Sequence, residues 1–214
     1  MSDAFISADG LGLATRQGPV FTDLSFDIAK GALAVFSGPA GSGRSALLLA
    51  VAGRMRKLTG SLWVAGLDAI GQSKEVRRTV SLARISGLVD LEGQLTVTDS
   101  FTERALMDAV PETRAAAVFG HAETILDVTF VRRRLVDDLP ALDRTLLAVA
   151  LATLRPAHVL VLDDADLGLA LADQHRLMAA LQRVTDTGIT VVASTIVTEA
   201  VPATAQTFPL TPPA

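Results

Sequence analysis

The sequence lacks cysteine altogether and is poor in lysine, and both features restrict what the protein can do. Without cysteine there is no disulfide framework and no thiolate chemistry, which excludes small disulfide-stabilised secreted domains and cysteine-dependent enzymes. Lysine occurs only at Lys30, Lys57 and Lys74 in 214 residues. Because this sequence uses arginine far more often than lysine, an arginine at a position where lysine is usual has a compositional explanation.

Long apolar runs and an excess of positive charge are also absent. The longest apolar segments, such as 46–53 and 146–154, are far shorter than a bilayer-spanning helix. The formal net charge of -4 argues against non-specific nucleic-acid binding, which needs a basic face. The first residues show no basic region followed by an apolar core. These observations predict a cytoplasmic protein with no nucleic-acid partner.

Alternating strand and helix patterns predict an α/β fold. Continuous apolar runs at 32–38, 157–164 and 189–195 are typical of buried strands in a parallel sheet. Between them, about 95–155 is a helical insertion, opened by a capping box in which Thr96 precedes Asp99 by three residues. We expect a single domain over 1–214, with Pro111 and Gly120 interrupting the helical part.

The segment GPAGSGRS, residues 38–45, has the pattern of a phosphate-binding loop. It follows a predicted buried strand and precedes a predicted helix, the context in which glycine-rich backbone N–H groups converge on phosphate. Arg44 replaces the usual lysine; its forked guanidinium can bind phosphate, but from a different position. Ser45 and Asp163, the latter at the end of the strand VLVLD, are the residue types that hold Mg²⁺ beside a bound nucleotide.

Taken together, these motifs resemble the nucleotide-binding domain of ATP-binding cassette (ABC) ATPases over nearly the whole chain. The resemblance rests on 18–66 around the loop, on LTVTDSF, on VLVLDDADLGL and on ITVVAST. It implies a P-loop NTPase fold of ABC type: a mostly parallel sheet core, an antiparallel β subdomain and an inserted helical subdomain. It also implies ATP and Mg²⁺ as ligands, with Asp164 as the catalytic carboxylate and Ser45 and Asp163 at the metal. The implied nucleotide-binding residues are Gly38, Pro39, Ala40, Gly41, Ser42, Gly43, Arg44, Ser45 and Asp163.

Several family positions carry other residues. The signature LSGGQ corresponds to LPALD, 139–143, where Pro140 replaces the serine and both glycines are missing. In the family this segment closes over the nucleotide of the opposite subunit. Acidic residues surround it here, so a plain helix start, with acids complementing the dipole, is the favoured interpretation.

Other substitutions affect adenine stacking and the residues that sense the nucleotide. The family's stacking aromatic has no counterpart around Ala14 and Thr15, its sensor glutamine falls at Arg84 or Ile85, and its switch histidine is Ile196. Asp164 is one methylene shorter than the family's catalytic glutamate, and catalysis is sensitive to such a change in reach.

Two functional hypotheses remain open. In the first, the chain is the ATP-binding subunit of an ABC-type transporter, coupling MgATP binding and slow hydrolysis to a membrane-embedded partner at the inner face of the membrane. In the second, it is a catalytically degenerate nucleotide-binding or scaffold module that regulates such a partner. Both involve a homo- or heterodimer of nucleotide-binding domains. A P-loop kinase is disfavoured because the sequence shows no arginine-rich lid.

Overall fold

A computed structural model describes residues 4–212, and two sheets organise them. One sheet has four strands in the order β2-β1-β4-β5, and the other has five in the order β6-β7-β8-β3-β9. The strands are β1 (Ile6–Thr15), β2 (Gly18–Ile28), β3 (Leu33–Ser37), β4 (Leu58–Val64), β5 (Leu67–Asp68), β6 (Val80–Arg84), β7 (Val159–Leu162), β8 (Thr190–Thr195) and β9 (Gln206–Pro209). The helices are α1 (Arg44–Val51), α2 (Ser73–Thr79), α3 (Val97–Met107), α4 (Glu112–Leu126), α5 (Ala141–Ala152) and α6 (Leu171–Thr185).

The five-stranded sheet is parallel throughout. Its strands β3, β6, β7 and β8 are buried along their whole length, as expected for apolar strands covered on both faces. Parallel strands all end at one edge, so the residues that follow β3, β6, β7 and β8 meet there. This edge positions the candidate site.

The four-stranded sheet is antiparallel and carries the first part of the chain. In β2, buried residues such as Phe21, Phe26 and Ile28 alternate with exposed ones, because one face packs on the core. This sheet shares a hydrophobic cluster with α1 and with residues of β3 such as Phe36. The antiparallel sheet is thereby fixed against the helix that follows the glycine-rich loop.

The helical part begins as its sequence predicts but is not broken where expected. The capping box is confirmed, since the Thr96 side chain accepts from the Asp99 backbone and the Asp99 side chain accepts from the Thr96 N–H. Pro111 caps the start of α4, whereas Gly120 lies inside that helix, so the expected break at Gly120 is wrong. A glycine within a fifteen-residue helix costs only about 1 kcal/mol, which tertiary packing of the neighbouring Phe119 offsets.

Candidate functional site

The glycine-rich loop joins β3 to α1 at the carboxyl edge of the parallel sheet. Gly43 caps α1 in a left-handed conformation with φ 85°, which an L-residue rarely adopts. A Cβ on Gly43 would lie 2.8 Å from the Val20 carbonyl oxygen, and one on Gly38 would lie 2.4 Å from that of Leu210. The loop therefore depends on glycine both for its backbone turn and for its close packing against neighbouring backbone.

Two polar atoms in this loop are buried without a hydrogen-bond partner among the residues that the structure describes. They are the Ser42 hydroxyl and the Arg44 Nε. Buried polar groups are usually paired in native proteins. Ser100, Arg144, Arg155 and Asp166 each have one such atom as well, but the glycine-rich loop is where two of them lie close together in the sequence. An oxyanion at the N-terminus of α1 would supply a partner to both groups.

The Arg44 guanidinium is directed at a carboxylate across the sheet edge. Its Nη2 lies 2.8 Å from Asp164 Oδ1, and its Nη1 donates to the Gly38 carbonyl oxygen. The arginine side chain is 9% exposed and the aspartate 21%. The structure thus brings together the two residues whose roles the sequence left least certain.

Asp163 and Asp164 directly follow β7, and their carboxylates are held by separate hydrogen bonds. Asp163 is fully buried; its Oδ1 accepts from the Ser194 hydroxyl at 2.5 Å and its Oδ2 from the Ser86 N–H at 3.2 Å. Asp164 Oδ2 accepts from the Ser86 hydroxyl at 2.5 Å. Asp164 has φ 44° and its N–H donates to Ser194 Oγ. Every carboxylate oxygen of this pair therefore has a protein partner.

Arg84, at the end of β6, is a buried residue whose role the sequence did not reveal. Its Nη2 donates to the Asp164 carbonyl oxygen at 2.6 Å, its Nε donates to that of Asp163, and its Nη1 reaches the Thr145 hydroxyl in α5. Burial lowers the pKa of the Arg84 guanidinium, while the carboxylate of Asp90, followed by those of Asp164, Asp163 and Asp166, opposes that shift. Arg84 thus fixes the turn that carries both acids and joins it to α5.

The segment Leu139 to Asp143 forms the start of α5. Pro140 is the N-cap, Asp143 lies in the first turn, and a short 3-10 helix, Val136–Asp138, contributes two further acids just before it. The hydroxyl and the glycines that would bind an anion are replaced, and carboxylates occupy the positive end of the helix dipole. This agrees with the interpretation of the segment as a plain helix start.

The other positions that the sequence singled out lie at the end of β1, directly after β8 and in the first turn of α1. Ala14 and Thr15 are exposed at the end of β1, and no aromatic ring stands there. Ile196, at the position of the switch histidine, is 53% exposed, and its backbone N–H donates to Asp166. Ser45 is half-buried in the first turn of α1.

Comparison with known proteins assigns the family. The family model described as ABC transporter matches residues 21–166, about two thirds of the chain. The chain belongs to the ABC transporter family. The resemblance in sequence is thereby confirmed, and the protein is an ABC ATPase nucleotide-binding domain. Proteins of this family bind ATP, generally with Mg²⁺.

Curated relatives and solved structures agree with that assignment. The cobalt import ATP-binding protein CbiO of Rhodobacter capsulatus is 31% identical over 198 residues, covering 89% of this chain and 69% of CbiO. The hemin import ATP-binding protein HmuV of Rhodococcus jostii is 27% identical, covering 87% of this chain and 64% of HmuV. The structure of cbiO1 from Clostridium perfringens superposes with a TM-score of 0.81 at 18% identity, covering 98% of this chain and 85% of that one. A dimeric cassette bound to ADP and Pi gives 0.79 at 14%, covering 96% and 94%. These structures confirm the predicted fold.

Proposed function

We propose that this cassette binds MgATP at residues 38–45 and transmits binding, with slow hydrolysis, to a membrane-embedded partner. The observation that carries the proposal is the pair of buried, unpartnered groups, Ser42 Oγ and Arg44 Nε, in a glycine-rich loop at a helix N-terminus. The first turn of α1, Arg44 to Leu47, contains no acid that would oppose an anion. The β- and γ-phosphates are the chemical groups that complete this arrangement.

The residues that would hold Mg²⁺ fit that ion. Hydroxyl and carboxylate oxygens are its preferred protein ligands, and the proposed ones are Ser45 and, through water, Asp163. Each Asp163 oxygen accepts one protein hydrogen bond and keeps a lone pair for a metal-bound water. When bound, the ion would neutralise charge on the phosphates.

Asp164 is the proposed general base. Its carboxylate lies at the sheet edge beside the phosphate loop, where it would orient and deprotonate an attacking water. To do so it must leave Arg44, because Oδ1 accepts a hydrogen bond from that guanidinium and Oδ2 accepts one from Ser86. We therefore expect turnover to be slow.

The alternative is a nucleotide-binding module without catalysis. It is favoured by the start of α5, where Pro140 and Asp143 offer no donors for a phosphate held by a second subunit. In that case the chain would regulate its partner by nucleotide binding alone. A heterodimer reconciles both proposals, since a different subunit would provide an intact signature over this chain's loop.

A groove lined by residues of β6, α3 and α5 is the proposed contact for the membrane partner. It encloses about 390 Å³, and its lining includes Arg54, Arg77, Arg104 and Arg155 together with carboxylates, of which Asp108 pairs with Arg104. Burial lowers the pKa of Arg54, and the charges of Arg155, Arg77 and Arg104 lower it further. A partner segment carrying an acidic side chain would relieve this repulsion.

The proposed contact also has an apolar part, and membrane attachment tests it. Met107 lines the groove and is 77% exposed, and Leu106 beside it is 76% exposed. Within residues 4–212, no helix is long and apolar enough to cross a bilayer. Attachment would thus depend on the partner. In fractionated host cells, Arg54→Glu should release the chain from membranes, whereas Arg56→Glu, on an exposed residue outside the groove, should not.

Nucleotide affinity and phosphate release test the main proposal. We expect the purified chain to bind ATP and ADP, and Arg44→Ala to weaken binding at least tenfold by removing a charged phosphate donor. Turnover abolished by Asp164→Asn would exclude the scaffold alternative. Tight binding without turnover, even with the partner present, would exclude the ATPase. Finally, we propose that 1–214 act as one nucleotide-binding unit.

A further inference from the structure

We propose that Asp164 is an internal competitor for the phosphate: in the nucleotide-free chain its carboxylate occupies Arg44, and nucleotide must displace it. The inference rests on the proposed function, because it concerns the same loop. It adds that the nucleotide-free site is self-inhibited by an ion pair between the loop arginine and the acid that follows Asp163.

The geometry gives Asp164 the contact that a phosphate oxygen would make. Asp164 Oδ1 lies 2.8 Å from Arg44 Nη2, a charge-assisted hydrogen bond between groups of opposite charge. The other terminal nitrogen of Arg44 donates to the Gly38 carbonyl oxygen, at the start of the same loop. Both ends of the guanidinium fork are therefore engaged inside the protein, and only its Nε, buried and unpaired, has no partner among the described residues.

Burial strengthens this competition. The arginine side chain is 9% exposed and the aspartate 21%, so water screens the pair less than it would at the surface. The guanidinium cannot lose its proton, and it will keep an anionic partner wherever one is available. A phosphate and the Asp164 carboxylate are mutually repulsive anions, so they do not share it well.

The turn around Asp164 is held in the orientation that reaches Arg44. Its φ of 44° is unfavourable for a non-glycine residue and is maintained by surrounding contacts. Ser86 Oγ donates to Asp164 Oδ2 at 2.5 Å, and Arg84 Nη2 donates to the Asp164 carbonyl oxygen. Ser86 is thus a positioning residue, since it orients the carboxylate without contacting Arg44.

The expected size of the effect follows from how often the ion pair is open. If the nucleotide-free chain is open for about one tenth of the time, the apparent affinity is about tenfold weaker than the intrinsic one. Asp164→Asn keeps the shape of the side chain but removes its charge, so it should tighten nucleotide binding about tenfold. Ser86→Ala should give a smaller change in the same direction, about twofold to threefold.

The experiment is a double-mutant cycle on nucleotide affinity. A fluorescent ADP is titrated without metal into the full chain as wild type, Asp164→Asn, Arg44→Ala and the double variant. ADP is the product of ATP hydrolysis, so turnover does not interfere with its titration. Metal-free buffer removes any effect of the substitutions on Mg²⁺ binding. Competition at Arg44 predicts that Asp164→Asn tightens binding only when Arg44 is present, a coupling of about tenfold.

Simple charge repulsion predicts a different result. If Asp164 only repels phosphate, Asp164→Asn tightens binding equally in both backgrounds, and the proposal is wrong. Asp166→Asn is the matched control, because Asp166 lies two residues further on and accepts from Ile196 N rather than contacting Arg44. It removes the same charge from the same turn and should leave affinity within about twofold.

A second readout needs no nucleotide. The Nη2 protons of Arg44 in ¹⁵N-arginine-labelled chain, which donate to Asp164, should exchange slowly in the wild type and lose that protection in Asp164→Asn. Unchanged protection in Asp164→Asn would overturn the competition. If instead protection is lost but no variant binds ADP or ATP, the ion pair exists and the proposed nucleotide binding is what fails.

Discussion

The N-termini of α1 and α5 differ in the groups that complement the positive end of the helix dipole. At α1, a left-handed Gly43 precedes a first turn without acids. At α5, Pro140 is the N-cap, Asp143 lies in the first turn, and two more acids precede it. The α5 dipole is complemented by acids of its own helix start, whereas the only carboxylate placed at the α1 start in the described residues is that of Asp164, which pairs with Arg44 from the turn after β7.

This difference bears on which of the two helix starts can bind a phosphate group. A helix start that supplies its own carboxylates gains stability and loses the ability to bind phosphate. Under the proposed function, the phosphate loop binds nucleotide, whereas residues 139–143 form a self-complemented helix start. We therefore expect nucleotide binding in this chain to be less impaired than closure over a second nucleotide.

The largest expected effect comes from giving α1 the acid that α5 already has. Ser45→Asp places a carboxylate in the first turn of α1, where it would repel phosphate and lower nucleotide affinity about 100-fold. The same change should raise stability by about 0.5 kcal/mol through the helix dipole. Titration with nucleotide and urea unfolding measure the two effects. Ser45→Asn, without the charge, is the control, and an unchanged affinity in Ser45→Asp would contradict the assignment of α1.

A second prediction tests the backbone of the α1 start. Gly43→Ala should destabilise the chain by about 2 kcal/mol, because a Cβ there combines a left-handed φ with a 2.8 Å approach to the Val20 carbonyl oxygen. Gly41→Ala is a matched control, since Gly41 has φ 83° but no atom within 4 Å of an added Cβ. It should cost about 1 kcal/mol. Equal losses in urea unfolding would mean that close packing at Gly43 is unimportant.

The sequence predicted some of the strands and missed others. The buried strands β3, β7 and β8 were predicted because each is a continuous apolar run ended by polar residues. Strand β1 was not, because its pattern ISADGLGLAT contains two glycines and its pairing with β2 shifts register three times. Strand β9 is a short edge strand ending at Pro209, with little pattern of its own.

The candidate site was also predicted only in part, because its contacts join residues far apart in the sequence. The glycine loop and the acids at the end of β7 were recognised as local motifs. The ion pair between Arg44 and Asp164 joins residues 120 positions apart, and no local pattern announces such a contact. From the sequence, Arg84 was only one of two candidates, with Ile85, for the position of the family's sensor glutamine. Its role could not be predicted because it depends on the carbonyl groups of Asp163 and Asp164, which are distant in sequence.

A third prediction reverses the comparison at α5. Pro140→Ser with Asp143→Gln restores a hydroxyl N-cap and removes the acid of the first turn, so the segment should tolerate a phosphate held by a second copy. In an Asp164→Asn background we expect ATP-dependent self-association to strengthen about tenfold, measured by sedimentation. Asp186→Asn, at the C-terminal end of α6, controls for the loss of one charge. Association that stays unchanged would show that other residues prevent closure.

The smallest expected effect concerns α3, a third helix start that is also satisfied by its own side chains. Thr96 is the N-cap of α3 and forms a capping box with Asp99, and hydrogen bonds from the Thr96 side chain and then its backbone lower the pKa of Asp99. Because the folded pKa lies below the unfolded one, the box stabilises the chain above the unfolded pKa and weakens as pH falls through the folded pKa. Thr96→Val should therefore lower stability near neutral pH, and lower it by less in acid.

Urea unfolding near neutral pH and in acid measures how the effect of Thr96→Val on stability depends on pH. Thr102→Val is the control, because Thr102 lies within α3 and its hydroxyl donates only to the Thr98 carbonyl oxygen of the preceding turn. Its cost should be small and independent of pH, since no carboxylate is involved. A cost for Thr96→Val that does not change with pH would mean that Asp99 contributes nothing to this helix start.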